Sequence, residues 1–79
     1  MRILLTPIKL ENIHIAAAKN RKVIEENLAE ASEFDNKSAR CFKNGNYEKA
    51  AYYAILCQEH LRIASQAKIE DIKLHATYN

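Results

Sequence analysis

The chain has very few of the residues that interrupt helices or form covalent cross-links. Its 79 residues include one glycine, one proline, two cysteines and no tryptophan. Alanine, glutamate, lysine, isoleucine and leucine are abundant, a composition typical of all-α proteins. Two cysteines in a chain without secretory features indicate reduced thiols and a cytoplasmic protein. The apolar run in "MRILLTP" is too short for a signal peptide.

Long hydrophobic runs and a strong charge imbalance are also missing. No apolar stretch approaches the roughly 20 residues that a membrane-spanning helix needs, so no membrane contact is predicted. The formal net charge is +2, too small to predict a nucleic-acid partner. The densest basic stretch, Lys19–Lys22, is followed by Glu25 and Glu26, which balance its charge along a helix. No catalytic or cofactor-binding pattern is present, so the sequence predicts neither an enzyme nor a cofactor.

The single glycine, Gly45, marks the corner between two helices. Apolar and small residues recur every three or four positions before it and after it, which is the period of a helix. These rows include Leu28, Phe42 and Leu61. Glycine takes the left-handed conformation that ends many helices at little cost, and Asn46 is a good N-cap for the next helix.

The first helix has a recognisable start. Thr6 can cap it, and Pro7 fits its first position, where no backbone N–H is needed. We therefore predict a single domain over residues 1–79, with a helix over 7–43, a turn over 44–46 and a helix over 47–77.

The predicted fold is all-α, a long antiparallel helical hairpin. The second helix carries more apolar surface than one partner helix can cover, which predicts that two chains pair into a four-helix bundle. We expect this homodimer interface to include Tyr53, Leu56, Ile63 and Ile69. The alternative is a monomeric three-helix bundle, in which the first helix breaks within residues 32–38, where Ser, Asp and Asn favour caps and turns.

Two acidic residues and two histidines predict a metal site at the open end of the hairpin. Glu11 and His14 form a Glu-x-x-His pair, as in the metal sites of helical bundles. If the helices fold back symmetrically about Gly45, His14 lies level with His75, and Asp71 is within about a turn of them. Two imidazoles and two carboxylates suit a divalent ion.

Residues 38–64 resemble two families of helical hairpin. A Gly-Asp/Asn-Tyr-x-x-Ala turn is common in tetratricopeptide repeats and is matched here by Gly45, Asn46, Tyr47 and Ala50. HEPN proteins often have a similar turn, although no arginine here precedes a histidine at the spacing of the HEPN ribonuclease motif. Both resemblances imply a helical hairpin with an aromatic side chain that fills its corner.

These observations favour a non-enzymatic protein-interaction or adaptor module that acts as a homo-oligomer. Its basis is the surplus of apolar helix surface together with the lack of catalytic residues. A small HEPN-like or regulatory protein associated with nucleic acid is an alternative, which requires a continuous basic surface on the assembled protein. A metal-binding helical bundle is the second alternative.

Overall fold

Two long helices make up the structure, a computed structural model that describes the backbone of residues 2–78 and the side chains of residues 12–76. Helix α1 spans Arg2–Lys43 and helix α2 spans Tyr47–Tyr78. The two helices pack into an antiparallel hairpin of 62 × 14 × 13 Å, and no strand occurs within residues 2–78. The predicted all-α hairpin is confirmed. Over the same residues, neither helix has a stretch long and apolar enough to cross a membrane.

Helix α1 begins before its predicted start at Pro7 and does not break. The residues before Thr6 are mostly good helix formers, and the helix extends to Arg2. Its course through residues 32–38 is continuous. Ser38 donates its hydrogen bond across the hairpin, from Oγ to the Ala50 carbonyl (2.7 Å), so its side chain does not compete for the helix backbone. The three-helix alternative is therefore wrong.

The contact between the helices follows a heptad pattern. Residues shielded from solvent recur in alternating steps of three and four, so the a and d positions of each heptad face the other helix. We call these residues the seam. On α1 the seam is Ile13, Ala17, Asn20, Ile24, Asn27, Ala31, Phe34, Ser38 and Cys41. On α2 it is Ala50, Tyr53, Cys57, His60, Ala64, Ala67, Asp71 and Leu74.

Small side chains dominate the buried part of the seam. The buried apolar residues are Ile13, Ala17, Ala31, Ala50, Cys57, Ala64 and Ala67. Within residues 12–76 no large side chain is fully buried, and both cysteines are free. Alanine lets two helices approach closely but contributes little apolar area. The hairpin therefore has a narrow core.

A hydrogen-bonded polar pair lies near the middle of the seam. Asn27 donates from Nδ2 to the Val23 carbonyl (2.9 Å), so its Oδ1 accepts a hydrogen bond from Nδ1 of His60 (2.7 Å). The His60 ring stacks on Phe34, with 5.5 Å between ring centroids and 16° between ring planes. Because its polar groups bond to each other, the pair avoids the cost of an unpaired buried group. Other registers would separate the two groups, so the pair favours this one.

The register is close to a fold-back centred on Gly45. Such a fold-back would place Ser38 opposite Tyr52, and the Ser38 hydroxyl bonds to the carbonyl of Ala50, two residues away. Leu28 and Leu61, which line the same depression, lie within one residue of the predicted level. The observed register is therefore within about two residues of the predicted one. The seam decides the register, because this alignment brings the small residues of both helices together.

The corner is a Schellman motif. Gly45 has a φ of +82°, and its N–H bonds to the Phe42 carbonyl (3.0 Å), while the N–H of Asn46 bonds to the Cys41 carbonyl (2.8 Å). This is the pair of hydrogen bonds that defines the motif. Asn46 also caps α2, since its Oδ1 accepts a hydrogen bond from the Lys49 N–H (3.3 Å). The predicted left-handed conformation of Gly45 is confirmed.

Two aromatic side chains border the corner but do not fill it. Phe42 and Tyr47 contact each other edge to face, with 5.2 Å between centroids. They are 64% and 63% exposed, whereas Ala50 is buried. The prediction that an aromatic side chain fills the corner is wrong, because the close approach of the helices leaves room there for alanine alone.

Replacing Gly45 with valine should lower the free energy of unfolding by roughly 1 kcal/mol or more. A β carbon at this position would have no atom within 4 Å, so the cost comes from the left-handed backbone and not from crowding. Gly45→Asn is the matched control, because asparagine tolerates this conformation. Its free energy of unfolding should fall clearly less than that of the valine variant. Urea denaturation measures both variants, and equal losses would contradict the account.

Replacing Asn27 with alanine should destabilise the hairpin by about 1 kcal/mol or more, because His60 loses its hydrogen-bond partner. The double variant Asn27→Leu, His60→Leu removes both polar groups and should recover that loss. Denaturation of Asn27→Leu alone, His60→Leu alone and the double variant measures the coupling between the two residues. Losses that simply add would show that the pair does not act as a unit.

Candidate functional site

One side of the seam is lined mostly by charged side chains. The c positions of α1 on this side are exposed and all but one are charged: Asn12, Lys19, Glu26, Glu33 and Arg40. Three apolar side chains next to the seam on this side are half-buried: Val23 on α1, and Leu56 and Ile63 on α2. The hairpin therefore already covers part of the apolar surface on this side, and charges surround the remainder.

The opposite side has no half-buried or buried residue beside the seam, and we call it the Leu28/Leu61 flank. It consists of the e positions of both helices, next to the seam. On α1 these are His14, Arg21, Leu28, Asp35 and Phe42, and on α2 they are Tyr47, Ala54, Leu61, Lys68 and His75. All of these residues are exposed, so the hairpin covers this flank less than the charged side.

Two shallow depressions run along this flank and meet at Leu28 and Leu61. Both leucines line both depressions; Ala31 and Cys57 also line the one nearer the corner, and Ala64 the other. Leu28 is 47% exposed and Leu61 36% exposed. The depressions exist because the small seam residues do not fill the space between the helices. The flank thus offers a partner an apolar, uneven surface.

The four side chains predicted for the oligomer interface do not share one surface. Tyr53 belongs to the seam and stacks on Phe34, with 6.0 Å between centroids. Leu56 and Ile63 are half-buried on the charged side, and Ile69 is 46% exposed on the outer face of α2. Their role in self-association stays a prediction, while the larger exposed apolar surface next to the seam belongs to the Leu28/Leu61 flank.

The residues predicted to bind a metal lie toward the open end of the hairpin. His14 and His75 belong to the flank and Asp71 to the seam, whereas the Glu11 side chain lies outside the described residues. His75 Nε2 is 3.7 Å from Asp71 Oδ1, too far for a hydrogen bond. That oxygen is buried without a hydrogen-bond partner in the described part of the chain. Within residues 12–76 no three potential ligands converge, so the four-residue site stays a prediction.

An ion pair on the outer face of α2 shifts two pKa values. Arg62 Nη2 donates to Glu59 Oε2 (2.6 Å); this hydrogen bond and the arginine charge lower the pKa of Glu59 and raise the pKa of Arg62. Both side chains are largely exposed, so the pair contributes little to stability. A carboxyl group with a lowered pKa is a poor general acid at neutral pH. The pair gives no support for catalysis.

The Leu28/Leu61 flank was not predicted from the sequence as a surface. Leu28 and Leu61 belong to the same rows, spaced by three or four residues, as Ala31 and Ala64, which are buried. A signal was nevertheless present, since His14, Arg21, Leu28, Asp35 and Phe42 follow one another at a constant spacing of seven residues. A seven-residue spacing that is kept along a supercoiled helix stays on one face.

In comparisons with known proteins, no protein family, curated protein or solved structure matches this chain. The resemblances to tetratricopeptide and HEPN hairpins therefore remain interpretations of the corner residues.

Proposed function

We propose that this protein is a non-enzymatic interaction module that acts as a homo-oligomer, with two hairpins paired into a four-helix bundle. One observation carries the proposal: large apolar side chains are exposed while alanines occupy the seam. The exposed ones are Ile15, Leu28, Phe42, Tyr47, Tyr52, Ile55, Leu61, Ile69 and Ile72. Fully burying an exposed side chain of this kind stabilises a protein by roughly 1.5–3 kcal/mol, and four of these residues, Leu28, Phe42, Tyr47 and Leu61, lie together on the Leu28/Leu61 flank.

The accessible surface supports the same proposal. The chain exposes 6320 Å², whereas a compact protein of its mass, 9.1 kDa, exposes about 4,900 Å². The difference, about 1,400 Å², exceeds the roughly 800 Å² that each partner contributes to a typical interface. Side-by-side pairing of two rods is the simplest way to remove this excess.

A second exposed surface supports the adaptor part of the proposal. Tyr52, Ile55 and Ile69 lie on the outer face of α2, away from the seam, and are 57%, 67% and 46% exposed. Pairing through the Leu28/Leu61 flank leaves these side chains accessible to a different protein. Exposed aromatic and aliphatic residues of this kind are frequent at protein interfaces.

Nucleic-acid and metal binding receive less support. The charged side of α1 carries both signs, with Glu26 and Glu33 between Lys19 and Arg40, so it forms no basic stripe. The predicted metal ligands within residues 12–76 do not converge. Neither alternative accounts for the exposed aliphatic side chains.

Light scattering should give a mass of about 18 kDa, twice that of one chain, at micromolar concentrations. The melting temperature should rise with protein concentration, because folding and association are linked. A mass of 9.1 kDa and a melting temperature independent of concentration would contradict the proposal.

Leu28→Glu combined with Leu61→Glu should shift the protein toward the monomer. Leu28 and Leu61 are 47% and 36% exposed in the single hairpin, so circular dichroism must show that the variant keeps its helices. Ile15→Glu combined with Ile55→Glu is the matched control, since Ile15 and Ile55 are 60% and 67% exposed but lie on the outer faces of α1 and α2. It should leave the mass unchanged, as measured by light scattering. A double variant that associates like the parent would exclude this flank from the interface.

A further inference from the structure

We propose that two copies pair in antiparallel orientation through the Leu28/Leu61 flank, about a two-fold axis that crosses the hairpin at Leu28 and Leu61. The inference rests on the proposed function and adds the orientation of the second copy and the residues that determine it. Each Arg21 faces Asp35 of the other copy.

The two leucines lie near the middle of the two-helix part of the rod. Leu61 is close to the midpoint of Tyr47–Tyr78, and Leu28 is at the same level on α1. Toward the open end, α1 extends beyond α2 to Arg2. A two-fold axis at this level makes the two-helix parts of two antiparallel rods overlap fully, while the first turns of each α1 extend beyond the overlap. For the 32 residues of α2, about 48 Å long, and a width of 14 Å, the overlap has a projected area of about 700 Å², comparable to one side of a typical interface.

The charges on α1 complement each other about this axis. Arg21 lies one heptad from Leu28 toward the open end, and Asp35 lies one heptad from it toward the corner. The axis exchanges these positions, so each arginine meets the aspartate of the other copy about 10 Å from the axis. Within the described residues, neither side chain has an ion pair in its own chain. Symmetry gives the interface two such pairs.

The side chains at the two ends of the flank also face each other across the axis. Phe42 and Tyr47 lie two heptads from the leucines on the corner side, and His14 and His75 lie two heptads away on the open side. The axis therefore places Phe42 over His14 of the other copy, and Tyr47 over His75. Packing of aromatic rings against imidazole rings is favourable, and it covers the exposed side chains at the corner.

A parallel dimer would bring like charges together at this interface. With both corners at the same end, α1 of one copy faces α2 of the other at the same level. Arg21 then faces Lys68, and Asp35 faces Ala54. Two cations meet and the aspartate has no partner, which disfavours this arrangement.

Charge reversal tests the orientation. Arg21→Asp alone and Asp35→Arg alone each turn both interfacial pairs into like charges, so each should raise the dimer Kd by roughly tenfold or more. An equimolar mixture of the two variants should return to the parent Kd, because the heterodimer regains two pairs of opposite charge. Sedimentation velocity measures the three affinities. Glu33→Arg, on the charged side, is the matched control and should leave the Kd unchanged.

The same measurements can also contradict the antiparallel geometry. In a parallel dimer Arg21→Asp would place the new carboxylate opposite Lys68 and lower the Kd. A lower Kd for this variant, or a mixture that binds no more tightly than either variant alone, overturns the antiparallel geometry. The proposed function still holds in that case, provided that the parent protein is a dimer. A parent protein that remains monomeric overturns both.

A distance measurement keeps the proposal testable if a charge variant loses its helical structure. Spin labels at Lys43→Cys, in a background of Cys41→Ala and Cys57→Ala, report the separation of the two corners. Antiparallel copies place these labels about 45 Å apart, since each lies 15 residues from the axis. A separation under about 20 Å would show that the corners share one end and would overturn the inference.

Discussion

The close approach of two helices along an alanine-rich seam is the constraint on which the rest of the structure depends. Ala17, Ala31, Ala50, Ala64 and Ala67 are each no more than 7% exposed. Their short side chains leave little volume between the helices, so many of the larger apolar residues lie beside the seam or on the outer faces. The hairpin is narrow for this reason, and its apolar surface can be covered only from outside. The expectation that it associates follows from this narrowness.

Polar groups within the seam fix the register, and the register fixes the exposed flank. The hydrogen bond between Asn27 and His60 would be lost if one helix slid along the other by a heptad. In the observed register, Leu28 and Leu61 come to the same level on the same side. A surface shared by two helices keeps its shape only if their alignment does not change. The polar positions therefore weaken the seam but define the surface beside it.

The helices and their corner could be predicted from the sequence because their signals are local: a 3.6-residue period on both sides and a single glycine, Gly45. The facing residues could not be predicted in the same way. Residues three apart on a helix differ by about 60° around its axis, so one row of apolar residues can include both Ala31 in the seam and Leu28 on the flank. The pairing of Asn27 with His60 joins residues 33 apart in sequence, so no pattern among neighbouring residues predicts it. The candidate surface depends on both features.

Whether a second copy covers the hairpin can be measured most directly by calibrated small-angle X-ray scattering over a range of micromolar concentrations. The account predicts a particle of about 18 kDa, two chains related by symmetry, whose longest dimension is about 80 Å, because each Arg2 lies 26 residues from the axis at Leu28. Doubled mass with a small increase in length is the result expected when the two-helix parts overlap side by side. A particle of 9.1 kDa at every concentration, or a dimer about twice as long as the 62 Å of one rod, would contradict the account.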